Sequence, residues 1–374
     1  MEITYLVGNG FDMMYGLKTS YNQFYEYMLR EFSKNKIKNN FFYNQIKEDV
    51  VKWSDFEWMI GLSTKSEREV NDFLAKNEQF TETDLGKELF DKKHFLDSLE
   101  EFHEDFENYL KMEEENAYIP NLEDALISFL KELDDVFFTQ IAEVLHPKMS
   151  PCEIKINFLQ FNYTNILDRA ILKIDWEVVE KSLYELLKID ETYKVTVALG
   201  ENIHVHESLG KGSFLGVNDR SQLNRSLFST AELNYLIKPE TIDEYDYLKL
   251  GQLYSIINRT GLFVIFGMSL GATDLLWWQE LIKKVINENV LIVLHRFDKK
   301  LTFNKSNSRK YLEIAYSTRR LLFRYKTSAI SIAVERKVIP LVNSENLFVD
   351  QNYIRSLNLK SKNLKSKNEY MLNH

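Results

Sequence analysis

One cysteine, Cys152, stands among 374 residues. A lone thiol excludes an internal disulfide and any multi-cysteine zinc module. No run approaches the ~18 apolar residues that a membrane-spanning helix requires. The opening Met1-Glu2-Ile3-Thr4-Tyr5 lacks the basic stretch and small-residue cleavage site of a secretory signal, so a cytoplasmic location is expected. Clustered positive charge is also scarce. Between Phe80 and Val136, 18 Asp/Glu stand against 5 Lys, a balance of −13 within a chain of net −9, which leaves about +4 for the remainder. Nucleic-acid backbones are held by clustered Lys and Arg, so nucleic acid is not an expected partner of the acidic stretch. The remainder tolerates an anionic small molecule such as a dinucleotide.

What is present is ordinary globular material, 44% hydrophobic and 28% charged. Its length suits two domains, or one sheet domain carrying an insertion. Ile3–Val7 is a short apolar run ending at a glycine pair, and predicts a buried first strand. Thr19 or Ser20 can cap a following helix with Tyr21, Phe24, Tyr25 and Met28 at helical spacing. From about 40 to 150 strand signals fade. Phe95, Leu99, Phe102, Phe106 and Leu110 predict one amphipathic helix; Leu126, Phe129, Leu130, Leu133 and Phe137 predict another. Strand runs return at 154–161, 195–199, 262–266 and 290–294, with helical patterns between them. Alternation of this kind predicts an α/β fold: a Rossmann-like, mostly parallel sheet with helices on both faces and a large helical insertion. The expected division is 1–39 and 151–350 for the α/β domain, 40–150 for the acidic helical insertion, and 351–374 for a disordered basic tail. That tail repeats Asn358-Leu359-Lys360-Ser361-Lys362 as Asn363-Leu364-Lys365-Ser366-Lys367 and has little to bury.

Four segments fall where strands should end, the place where open α/β sheets bind ligands. The first is Gly8-Asn9-Gly10-Phe11-Asp12, whose glycines permit a tight turn and the approach of a pyrophosphate to backbone amides. Met13 occupies the position of a third fingerprint glycine, and a plain structural turn is the alternative. Asp12 is placed to face a ribose hydroxyl or a water. The second is Asn162-Tyr163-Thr164-Asn165, with Asp168 after it. Here amide and hydroxyl groups replace expected apolar residues, although Thr164 or Asn165 could simply cap a helix. The third is Ile203-His204-Val205-His206. Its alternation sends both histidines to one face, where a metal, a structural role or a general base is open. No third metal ligand beyond Glu207 stands near, so no metal is expected. The fourth is Gly267-Met268-Ser269-Leu270-Gly271-Ala272-Thr273-Asp274, small and hydroxylated residues at a helix start, suited to phosphate or ribose. It also spells the Gly-x-Ser-x-Gly of serine hydrolases, a reading that needs an acid and a histidine downstream, where only His295 and His374 lie.

In order and type these segments resemble the abortive infection H (AbiH) family of bacterial anti-phage proteins, from Met1 to about Leu294. The resemblance rests on Leu6-Val7-Gly8-Asn9-Gly10-Phe11-Asp12 with Gly16-Leu17-Lys18-Thr19-Ser20-Tyr21, and on Phe161-Asn162-Tyr163-Thr164, Ile203-His204-Val205-His206 and Gly267-Met268-Ser269-Leu270. It departs at Glu207, where a glycine would be expected after His206. The pattern is more remotely similar to the sirtuin-like NAD-binding fold, with Asn162-Tyr163-Thr164, Asp168, His206, Gly267, Ser269 and Asp274 standing for that fold's later signatures. Thr164 replaces an acid there, so a ribose contact is weakened, and the deacylase zinc ribbon is absent.

The resemblance implies NAD as substrate, cleaved at the nicotinamide–ribose bond. Asn162 and His206 would be catalytic, and Gly8, Asn9, Gly10, Asp12, Tyr163, Gly267, Ser269 and Asp274 would bind the nucleotide. It also implies a phage-derived trigger and a homo-oligomer, with the helical insertion as the sensing or oligomerising part. Two other classes stay open. One is a non-catalytic nucleotide sensor. The other is a metal-dependent nuclease, for which Asp55 and Glu57 between Trp53 and Trp58 are the tight acid pair.

Overall fold

The computed structural model describes residues 1–65, 90–147, 150–190, 192–211, 215–298, 308–324, 326 and 330–357. Six parallel strands form one sheet: β1 Glu2–Val7, β2 Cys152–Gln160, β3 Val195–His204, β4 Thr260–Phe266, β5 Leu291–Arg296 and β6 Val338–Val342. Their spatial order is β3-β2-β1-β4-β5-β6, the doubly wound order in which the chain reverses direction across the sheet between β1 and β4. Register fixes where the strands end. Val7 pairs with Gln160 on one side and Phe266 on the other, so β1, β2 and β4 finish level.

The sheet is buried on both faces, which is why its strands read as near-continuous apolar runs. Tyr5, Val7, Ile156, Phe158, Val264 and Val293 face one helical layer, which includes helices Asp135–Leu145, Ile166–Ile171 and Trp176–Leu187. Leu6, Leu159, Phe263, Ile265 and Ile292 face the other, with helices Tyr247–Arg259 and Leu275–Asn287. Pro340 is tolerated in β6 because that strand is an edge.

A second core lies beyond the carboxyl ends of the strands. Phe24, Phe42, Phe56, Phe95, Phe102 and Phe106 fill it from helices Tyr21–Glu31, Phe41–Glu48, Phe56–Leu62 and Lys92–Glu115, and Leu209 with the segment 215–237 closes it. Ser20 caps the first of these helices with a full capping box through Gln23. Packing therefore divides the chain elsewhere than at the expected 40 and 150. The lobe begins near Tyr21, recruits Leu209 and 215–237, and excludes 122–145, which packs on the sheet.

Two local expectations are also corrected. Leu126–Phe137 is not one helix. A 3₁₀ turn at Ser128–Glu132 stops at Leu133, and a new helix starts at Asp135 after the extended Asp134. The apolar side chains of that stretch point at the sheet regardless of the break. The tail starts later than 351, because 351–357 are helical and Tyr353 stacks on Tyr118 at 4.7 Å. The Asn358–Lys367 repeat lies outside the described residues.

Candidate functional site

A cavity of about 1140 Å³ opens over the carboxyl ends of β1, β2, β4 and β5, somewhat larger than the ~300–1,000 Å³ usual for small-molecule sites. Gly8, Asn9, Gly10, Asp12, Asn162, Tyr163, His206, Gly267, Ser269 and Asp274 all belong to its wall. Level strand ends account for this convergence of residues up to 266 positions apart. Bringing them together does not give each the role expected of it.

The glycines serve close packing. A Cβ on Gly10 would lie 2.5 Å from the Cα of Gly267, and one on Gly8 would lie 2.8 Å from the Gly267 carbonyl oxygen. Gly267 itself has φ +68. The Gly8 amide donates to the Phe266 carbonyl at 2.9 Å and the Gly10 amide to the Gly267 carbonyl at 2.8 Å. Both amides expected to hold a pyrophosphate are thus already spent on joining the β1 and β4 loops. Asn9 turns to the loop as well, its Nδ2 donating to the Thr19 carbonyl at 3.0 Å. Asp12 faces inward rather than toward a ribose. It exposes none of its surface, and its oxygens accept from Asn162 Nδ2 at 3.1 Å and Thr164 Oγ1 at 2.8 Å. Burial pushes its carboxyl up to about 7, against the opposing hydrogen bonds. Thr164 is the second donor anchoring Asp12.

The two histidines part company. His204 is held between the Asn162 carbonyl at 3.0 Å and Asp168 Oδ2 at 2.8 Å, and so braces the Asn162 loop from behind. His206 is 4% exposed, packs edge-on against Phe161 at 5.5 Å, and donates from Nε2 to Asp274 Oδ1 at 2.7 Å. Its Nδ1 is buried without a partner, and so is Asn162 Oδ1. Asp274 thus orients an imidazole through Oδ1. Glu207 occupies the left-handed region at φ +60, the conformation that the expected glycine would favour, and its carboxylate is tied to Lys249.

Sequence reasoning missed Lys238, and it took Glu57 only as half of an acid pair with Asp55. Lys238 Nζ donates to Glu57 Oε2 at 2.8 Å and to Asp274 Oδ1 at 3.0 Å, with its side chain 2% exposed. Tyr163 OH donates to the other Glu57 oxygen at 3.2 Å. Lys238 reaches this point because Val217 and Ile237 form a bridge, Lys238 N donating to the Val217 carbonyl at 2.9 Å. Glu57 lies on helix Phe56–Leu62, capped by Asp55, and lines the cavity. Burial raises the Glu57 carboxyl, Lys238 opposing; the two buried neighbours Lys238 and His206 hold Asp274 below the ordinary carboxylate range despite its own burial. The place between the two carboxylates is filled by an ammonium. The strained residue of Gly267–Gly271 is Leu270, at φ +56, and Ser269 is exposed, so the turn is not the elbow of a serine nucleophile.

Among the described residues no helix is long and apolar enough to cross a membrane. The family model described as bacteriophage abortive infection AbiH matches residues 4–295, a span that contains every wall residue discussed above. No curated protein matches the chain.

Proposed function

The chain belongs to the AbiH family of bacteriophage abortive-infection proteins, and from that premise we propose that its cavity binds NAD and hydrolyses the nicotinamide–ribose bond. The observation that carries this reading is the pair of buried, unpartnered acceptors, His206 Nδ1 and Asn162 Oδ1, in the wall of one large cavity at the sheet's switch point. A buried polar atom without a partner costs ~1–3 kcal/mol, and a ligand or water that donates there recovers it. Both atoms accept, so the bound species must supply O–H or N–H donors, as ribose hydroxyls and an attacking water do. The remote likeness of the motifs to sirtuin-like NAD sites points the same way.

In this reaction the C1′–N bond breaks and nicotinamide leaves as a neutral base, since the pyridinium already carries the charge. The ribose passes through an oxocarbenium-like state. A water forms the new C1′–O bond and its proton goes to His206 Nδ1, with Asp274 fixing the tautomer through Nε2. Asn162, anchored by Asp12 beneath it and His204 behind it, orients the water or the ribose. The pyrophosphate must find donors other than the Gly8 and Gly10 amides.

Incubation of the purified chain with NAD, followed by chromatography, tests this. Nicotinamide and ADP-ribose are the expected products. Removing a general base costs ~10²–10⁴ in rate, so His206→Ala should reduce product by that factor at unchanged melting temperature. Equal cleavage by wild type and His206→Ala would refute the assignment.

A further inference from the structure

One oxygen, Asp274 Oδ1, accepts from both His206 Nε2 at 2.7 Å and Lys238 Nζ at 3.0 Å. The other bond of the Lys238 ammonium runs to Glu57, on a helix whose Phe56, Met59 and Ile60 sit in the core of the helical lobe. That helix is seated against the 217–222 loop, whose Val217 carbonyl accepts from the Lys238 amide, because a Cβ on Gly61 would come within 2.7 Å of the Gln222 carbonyl oxygen and 3.2 Å of Val217 Cγ1. We infer that Lys238, held by Glu57, is a positioning residue that governs the charge state of the His206–Asp274 dyad and ties it to the helical lobe.

The physical reason is competition for one carboxylate. Asp274 alone would favour an imidazolium, which has no lone pair to take a proton. An ammonium on the same oxygen opposes that, keeping the imidazole neutral and Nδ1 able to accept. Glu57 acts in the opposite sense, since it shares the ammonium and adds negative charge. Burial is the first cause that lowers the proton affinity of His206; Lys238 adds to it, and Asp274 and Glu57 oppose it. The ionisable groups around the dyad therefore come from four places: Asp274 after β4, Lys238 at the start of helix Lys238–Tyr245, Asp55 and Glu57 on the lobe, and Tyr163 after β2. Any movement of the lobe that draws Glu57 away alters the field at His206 without touching the ligand. The inference rests on the reading of His206 as the base, and its test is chosen to separate the two.

The experiment is an NMR titration of histidine ring nitrogens in the full-length chain, with His206 assigned by substitution, for wild type, Lys238→Met, Lys238→Arg and Glu57→Gln. A charge within ~4–6 Å moves a titration by about 1–3 units. Lys238→Met should move that of His206 up by about this much, Lys238→Arg should restore it, and Glu57→Gln should move it down. Opposite directions from neighbouring substitutions are what a loosened structure would not give. If Lys238→Met strands Glu57 and Asp274 and fails to fold, Glu57→Gln alone decides. An unmoved His206 titration in Glu57→Gln, or movement of both variants in one direction, overturns the inference. The pH profile of NAD cleavage gives the second arm. Shifted titrations in a protein that leaves NAD intact would sink the hydrolase reading and keep the coupling. Cleavage with unshifted titrations would do the reverse.

Discussion

Asp12→Asn is the substitution whose consequence follows most directly from the geometry. The wild-type carboxyl is wholly buried, accepts from Asn162 and Thr164, and is pushed by burial from 3.8 up to about 7. An acid that ionises less readily in the folded chain than in the unfolded one favours folding only while it holds its proton. That contribution is complete below the unfolded value and is lost as pH rises through about 7. At ~1.36 kcal/mol per unit, a gap of about three units amounts to roughly 4 kcal/mol surrendered by wild type between about pH 4 and pH 8. Asparagine has nearly the same shape, keeps an acceptor for one of the two donors, and carries no ionisation cost. Urea denaturation at about pH 5, 6.5 and 8 measures the difference. The stability of Asp12→Asn relative to wild type should climb with pH, by about 2.5 kcal/mol across the range. A difference that stays flat, or that turns toward wild type as pH rises, would show that Asp12 ionises freely and that the burial argument is wrong.

Gly10→Ala should destabilise by ~1–3 kcal/mol, as overpacking does, because its methyl would sit 2.5 Å from Gly267 Cα. Gly251→Ala, on an open face of helix Tyr247–Arg259, should raise the melting point through ~1 kcal/mol of helix propensity; equal effects at the two sites would refute the loop-contact argument. Glu207→Gly relieves the positive φ but strands the buried Lys249 ammonium, so alone it should cost ~3–5 kcal/mol, less about 1 for the relieved backbone. With Lys249→Met added the loss should disappear, and additive losses in a double-mutant cycle by urea denaturation would contradict the pairing.

The alternation of strand and helix patterns was enough to predict a buried parallel sheet, because strands covered on both faces must be apolar throughout. β6 escaped notice: five residues with a central proline, after a short helix at Ile332–Glu335, carry neither length nor alternation. The convergence of Gly8, Asn162, His206 and Asp274 was legible for the same reason as the sheet, since strand ends meet. Individual roles were not. A Gly-x-Gly turn reads alike whether its amides meet a phosphate or a neighbouring carbonyl, and only the register of β1 with β4 decides in favour of Phe266 and Gly267. Lys238, between Ile237 and Pro239, reads as the exposed start of a helix. Nothing local marks it, because the carboxylates that bury it lie 181 and 36 positions away. Glu207 is the instructive case: it stands where a glycine is expected, keeps a glycine's backbone conformation and offsets it with an ion pair.

The His206–Asp274 dyad in this cavity is proposed to destroy NAD during phage infection. The most direct measurement follows NAD in cells expressing wild type or His206→Ala, sampled after infection with a phage that wild type restricts. The expected result is a fall in NAD with nicotinamide release in wild type alone, and loss of restriction in His206→Ala. Restriction by wild type with NAD held at its starting level would contradict it.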